Sequence, residues 1–146
     1  MHIFTGLTET EHVMFYAIVY SNSFTLQVES TVVFEKVILN IGESYNNYDG
    51  VFVAPRKGVY LFSWTISINS GNYAVTELVV ENTVISSTGD TATKGGYDST
   101  SMTALCKMNK NDHAFIRTTG YGGANVFYSA DNYPRTSFLG MLVYGE

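Results

Sequence analysis

The sequence predicts an all-β sandwich, and three observations predict it. Apolar and polar residues alternate with a period of two in several segments, the periodicity of a strand with one buried face. The alternating segments are filled with β-branched and aromatic residues, which suit a pleated, half-buried surface. No stretch of ten or more residues carries an apolar stripe at a 3.6-residue period, so almost no helix is expected.

Taken in chain order, the strand candidates are Val13 to Tyr20, Thr31 to Phe34, Val37 to Asn40 and Val51 to Val53. The clearest alternation follows: Tyr60, Phe62, Trp64, Ile66 and Ile68 share one face, while Ser63, Thr65 and Ser67 share the other. After Ala74 to Val80, a second alternating run sets Met102, Ala104, Cys106 and Met108 on one side. Asn109 to Asp112 then form a turn, and Ala114 and Ile116 resume on the next strand, a hairpin pattern. Asn125 to Tyr128 is a further short candidate. The run from Thr136 to Tyr144 is nearly continuously apolar, as expected of a central strand covered on both sides. Gly, Asn and Asp clusters separate these segments, and about ten short strands in one chain indicate a sandwich or jelly roll.

A chain of 146 residues fits one domain. The charged fraction is only 14%, equal to the aromatic fraction, and 11 of the aromatics are tyrosine. Eight Lys and Arg against 13 Asp and Glu leave a formal net charge of −5, without the clustered basic residues that a phosphate backbone requires. Nucleic acid is not expected as a partner. No run approaches the roughly 18 to 20 apolar residues that span a bilayer, so no membrane insertion is expected. The first 25 residues lack a basic segment followed by an apolar stretch, so the chain reads as soluble, with any secretory leader already removed. A lone cysteine, Cys106, and the lack of an Asn-x-Ser/Thr sequon leave the compartment open.

Enzymatic chemistry finds no support in the residues. The histidines are His2, His12 and His113, dispersed and without zinc spacing, and there is no Gly-x-Ser-x-Gly. Gly120-Tyr121-Gly122-Gly123 is followed by no Lys-Ser/Thr and no helix, and reads as a surface loop. Cys106 shares the inward parity of Met102 and Met108, which marks a small buried hydrophobe. A non-enzymatic protein is expected, with no required cofactor.

Binding chemistry is better represented. In Tyr128-Ser129-Ala130-Asp131-Asn132-Tyr133-Pro134-Arg135, aromatic faces lie beside a carboxylate, an amide and a guanidinium. That mixture can stack on a sugar and hydrogen-bond its hydroxyls, and it also suits a solvated loop. Tyr45 to Asp49, with Tyr48 inside it, has the Tyr and Asn composition of adaptable binding surfaces. The candidate ligand-binding residues are thus Tyr45, Tyr48, Tyr121, Tyr128, Asp131, Asn132, Tyr133 and Arg135. Asp90 and Asp98 flank a Gly-rich segment and offer hard oxygen donors suited to calcium, although such aspartates also make Asx-turns.

From Phe34 to Trp64 the chain resembles the complement C1q globular-head family. Phe34, Asn40, Tyr45, Phe52, Gly58, Tyr60 and Phe62 stand at the family's spacing, with Trp64 where Phe or Tyr is usual. The segment from Phe52 to Tyr60, the Gly-rich stretch from Gly120 to Tyr128 and the closing run from Ser137 to Tyr144 are similar to the family too. The resemblance covers residues 12–146 of one C1q-like domain, 1–146. It implies a ten-stranded jelly roll of the tumour-necrosis-factor-like superfamily that packs as a homotrimer. It further implies calcium near the trimer apex at Asp90 and Asp98.

The domain resembles the stand-alone C1q-domain proteins of invertebrates, particularly molluscs. The resemblance therefore implies a secreted, extracellular pattern-recognition lectin of innate immunity that binds microbial polysaccharide or another surface glycan. A trimeric cytokine-like or hormone-like ligand of a protein receptor, and a trimerisation module of a longer chain, are the alternatives.

Overall fold

The computed structural model describes residues 12–20, 23–92, 95–121 and 125–146. Among these residues there is no helix, and extended segments run from β1 to β12. One sheet has the order β3-β1-β12-β6-β9: β3 is Lys36–Ile41, β1 Met14–Ile18, β12 Ser137–Gly145, β6 Gly58–Asn69 and β9 Tyr97–Met108. The other has the order β2-β11-β7-β10-β5-β4, with β8 also on β7. These strands are β2 Ser23–Leu26, β4 Tyr45–Asn46, β5 Val51–Val53, β7 Tyr73–Val80, β8 Thr83–Thr91, β10 His113–Thr118 and β11 Asn125–Tyr128. The all-β, two-layer reading holds.

The two sheets meet on an aromatic core. On β6 the predicted face is buried throughout: Tyr60, Phe62, Trp64, Ile66 and Ile68. Phe52 of the opposite sheet meets Tyr60 and Phe62 edge-on, each at 5.5 Å between ring centroids. Phe15 of β1 stacks on Tyr45 at 4.6 Å and meets the Phe138 edge at 4.9 Å. Trp64 carries one polar atom into this core, and its Nε1 donates to Thr76 Oγ1 of β7 at 2.8 Å, bridging the sheets.

Four expectations need adjustment. β12 is central in its sheet, between β1 and β6, but one chain covers only one of its faces. Phe138, Gly140 and Leu142 are buried, whereas Met141 and Val143 on the other parity are exposed, as is Tyr144 beyond a register shift after Leu142. The segment Thr31 to Phe34 forms no strand, only the single bridge Thr31 to Arg117. Its apolar character reflects burial of Val32 and Phe34 in a connection tied down by Val32 N to Ile116 O and Phe34 N to the Tyr45 hydroxyl. β2 and β8 form where no strand was expected: β2 is short, and β8 is mostly Ser, Thr and Gly, with little apolar signal.

The outer face of the five-stranded sheet bears an apolar row. Pairing registers align Ile41, Met14, Met141, Leu61 and Leu105 side by side across β3, β1, β12, β6 and β9. Further along, the face turns to hydroxyls: Thr103 Oγ1 donates to Ser63 Oγ at 3.0 Å, and the Thr65 and Ser101 hydroxyls lie 2.7 Å apart.

Candidate ligand-binding site

The segment after β11 is braced from below by buried hydroxyls. Ser129 Oγ donates to Val19 O at 2.6 Å and accepts from Thr136 N at 3.2 Å. Thr136 Oγ1 donates to Tyr128 O at 3.1 Å and accepts from Ser67 N at 3.1 Å. These bonds anchor both ends of residues 129–136 and leave the intervening turn to project. Asn132 takes the left-handed conformation there, with φ 66°, which Asn tolerates better than most residues, and Tyr133 N bonds Ala130 O.

The projecting turn closes a cavity of about 300 Å³ lined by Tyr20, Tyr128, Ala130, Asp131, Tyr133 and Arg135. Four predicted residues, Tyr128, Asp131, Tyr133 and Arg135, therefore come together. Asn132 sits at the exposed tip of the same turn.

Two tyrosines complete the group, and sequence reasoning missed both. Tyr97, the first residue of β9, lies 5.3 Å from the Tyr128 ring and 5.1 Å from the Tyr133 ring; Tyr128 and Tyr133 meet at 88° and 5.6 Å. Tyr20, just beyond β1, lines the same cavity. Nothing local in the sequence marks either. Tyr97 arrives through the pairing of β9 with β6, where it faces Asn69. Desolvation first, then the neighbouring Tyr128 and Tyr133, push the Tyr97 phenol above its ordinary pKa. The Tyr97 ring is thus neutral at physiological pH and available for stacking.

The other predicted ligand contacts lie elsewhere. Tyr45 is a correction: it is a core residue, its hydroxyl donating to Phe34 O at 2.9 Å and accepting from Phe34 N at 3.1 Å. Composition alone puts its ring at the surface, but stacking on Phe15 draws it inside. Tyr48 is 90% exposed at the rim of a broad depression with Asn40, Asn46, Asn47 and Asn111. Three of those amides serve the fold: Asn40 bonds the Tyr45 backbone, Asn46 accepts from Tyr48 N, and Asn47 donates to Glu35 O. Tyr121 meets Tyr73 edge-on at 5.5 Å and lines a separate depression with Asp90 and Thr91. The Gly122 and Gly123 part of the predicted loop lies outside the described residues.

Asp90 ends β8 with Thr91, and Asp98 is the second residue of β9. Two residues back along each strand, the Thr88 and Thr100 hydroxyls are 2.5 Å apart, which brings the two strands together edge to edge. Asp90 Oδ1 already accepts from Thr91 N at 2.7 Å. Among the described residues no group of three or more His, Cys, Asp or Glu side chains could hold a metal. Two carboxylates at one end of two strands are a partial donor set for a cation that takes six to eight oxygens.

Cys106 is half-buried beside the core, and burial raises its thiol to about 11, which keeps it protonated and weakly nucleophilic. No helix among the described residues is long and apolar enough to cross a membrane.

Known proteins agree with this architecture. The model of the C1q domain matches residues 14–143. Among curated mouse proteins, Multimerin-2 is 30% identical over 132 residues, 90% of this chain and 13% of that protein. Collagen alpha-1(X) chain is 27% identical over 116 residues, 80% of this chain and 17% of that protein. Complement C1q tumor necrosis factor-related protein 7 is 27% identical over 113 residues, 77% of this chain and 38% of that protein. The chain thus spans well under half the length of each of these relatives.

Among solved structures, the globular domain of zebrafish complement 1qA protein superposes with a TM-score of 0.74 at 18% identity, covering 92% of this chain and 99% of that one. Eiger TNF from S. frugiperda gives 0.68 at 11% identity, covering 90% and 91%. These two likenesses establish the shared jelly roll. With the family model matched over nearly the whole described length, the chain belongs to the C1q domain family.

Proposed function

We propose that this chain is a secreted, non-enzymatic pattern-recognition lectin that assembles as a homotrimer and binds carbohydrate of microbial surfaces. One observation carries the reading: Tyr20, Tyr97, Tyr128 and Tyr133 gather around a polar pair, Asp131 and Arg135, on a turn anchored from beneath. Aromatic faces stack on the C–H face of a pyranose, while a carboxylate and a guanidinium bond its hydroxyls. Its small size and open rim suit the end of a glycan chain.

C1q and tumour-necrosis-factor-like domains are trimeric modules, and the apolar row on the five-stranded sheet supports that assembly for this chain. Three shallow sites on one rigid body raise avidity for a repetitive surface by about 10²-fold or more, through effective concentration. The long relatives favour a second reading, in which the domain chiefly trimerises a larger protein.

Calcium belongs to the same proposal. Asp90 and Asp98 would supply two carboxylates, with further oxygens from neighbouring backbone and water. Calcium is expected to raise the melting temperature of the parent, and Asp90→Ala or Asp98→Ala to lessen that rise. A parent melting curve indifferent to calcium removes the metal from the proposal.

The function is tested by binding the purified protein to arrayed microbial polysaccharides and free sugars, alongside light scattering. Trimeric mass with sugar-competed binding that Tyr133→Ala weakens is the expected result. A trimer that ignores every glycan rejects the lectin and favours a protein receptor or a purely assembling role.

A further inference from the structure

The charges of the tyrosine-lined cavity narrow its ligand, an inference that rests on the lectin reading above. Arg135 projects into this cavity from the segment before β12. Its Nη2 donates to Asp131 Oδ1, four residues earlier, but Nη1 is buried and makes no hydrogen bond among the described residues. A buried guanidinium N–H without an acceptor is unfavourable, since its desolvation is not offset.

The two partners are unequally held. The Asp131 side chain is 73% exposed on the turn, whereas that of Arg135 is 30% exposed and set against the cavity wall. The acid is therefore the half of the pair that can leave. A second cation stands close by: Lys36 Nζ sits 4.3 Å from the Tyr20 ring centroid and makes no ion pair among the described residues. Glu35, the neighbour of Lys36 in the chain, accepts from Tyr20 N through Oε1.

We propose that the cavity is specific for a saccharide bearing a carboxylate, which takes the place of Asp131 on the Arg135 guanidinium. Asp131 is a built-in stand-in for the ligand's acid. When it swings out on its exposed turn, the planar fork of Arg135 presents two N–H groups to an incoming carboxylate, a bidentate geometry that Lys cannot match. Tyr128 and Tyr133 then flank the sugar ring, and Lys36 adds attraction without a direct bond. Neutral sugars gain the stacking and leave Nη1 without a partner.

The test titrates the purified protein with oligogalacturonate and sialyllactose, against maltotriose and lactose as neutral counterparts. One or both acidic sugars are expected to bind about tenfold or more tightly than the neutral counterpart, which separates uronate from sialate sources. Arg135→Gln is expected to erase that preference, and Arg135→Lys to restore it only in part. Asp131→Asn, on an exposed side chain, is expected to tighten acidic sugars relative to neutral ones by up to about fivefold. Equal binding of acidic and neutral sugars, with Asp131→Asn silent, overturns the carboxylate preference and leaves the lectin intact. Failure of every sugar to bind overturns both.

Discussion

At the residue scale, Trp64 shows how one side chain can be both apolar ballast and polar fastener. It is fully buried, so removing the indole leaves a large cavity, and Trp64→Ala is expected to cost about 3 to 5 kcal/mol in denaturant titrations. Its partner gives a sharper test. Thr76→Val keeps shape but strips the acceptor from Trp64 Nε1, so a loss of about 1 to 3 kcal/mol is expected without a change in m-value. Tyr45 makes the complementary case in pH. Burial, the largest effect, raises its phenol above the unfolded value near 10, so the folded state favours the neutral form. Its contribution is complete below about pH 10 and is lost as pH climbs towards the folded value. Tyr45→Phe is therefore expected to be less stable at pH 7 but to lose stability less steeply above pH 10, as read from melting curves across that range. The burial of Trp64 was legible from period-two alternation. That of Tyr45 was not, because a Tyr amid Asn and Asp carries the composition of a surface loop, and only the stacked Phe15 ring explains where it goes.

At the scale of elements, β12 shows what alternation can and cannot say. A run of apolar residues placed it in the middle of a sheet, and pairing with β1 and β6 puts it there. Its interior glycine has a packing reason. A Cβ on Gly140 would lie 2.6 Å from Phe15 Cε1 and 2.7 Å from Phe62 Cδ1, so the rings occupy the space a side chain needs. Gly140→Ala is expected to destabilise by about 1 to 3 kcal/mol through overpacking, measured by denaturant midpoint, with Phe62→Leu as a background that relieves part of the loss. Strands whose register depends on packing, such as β6, were readable because one face is apolar over its whole length. β8 was not, since Thr83, Ser86, Ser87, Thr88 and Thr91 give no face a consistent apolar character and its place is set by pairing with β7. The candidate site divides along the same line. Tyr128, Asp131, Tyr133 and Arg135 were found because they lie within eight residues of one another, whereas Tyr20 and Tyr97 join them only through the crossing of distant strands.

At the scale of the whole molecule, the unburied face of the five-stranded sheet is where sequence and assembly meet. The row Ile41, Met14, Met141, Leu61 and Leu105 crosses all five strands, a span of about 19 Å at ordinary strand spacing. Leu105 is 60% exposed at its open end on β9, and Val143 and Tyr144 extend the apolar surface along β12. A contiguous patch of this kind on an isolated chain marks a protein-protein contact, and it explains why β12 reads as covered on both faces although one chain covers only one. The adjoining Ser63, Thr65, Ser101 and Thr103 hydroxyls bond one another, so the same face becomes polar towards the end that carries Tyr97. Assembly through the apolar end would leave the tyrosine cavity open. Leu105→Lys combined with Met141→Lys should therefore convert the trimer to monomer in light scattering while preserving the β-sheet circular dichroism. The avidity for a multivalent glycan surface should fall with it, yet affinity for a monovalent sugar should not, because Tyr128, Tyr133 and Arg135 belong to one chain. Should the double variant stay trimeric, the interface lies on another face; should monovalent affinity fall with the assembly, the neighbouring subunit contributes to the site.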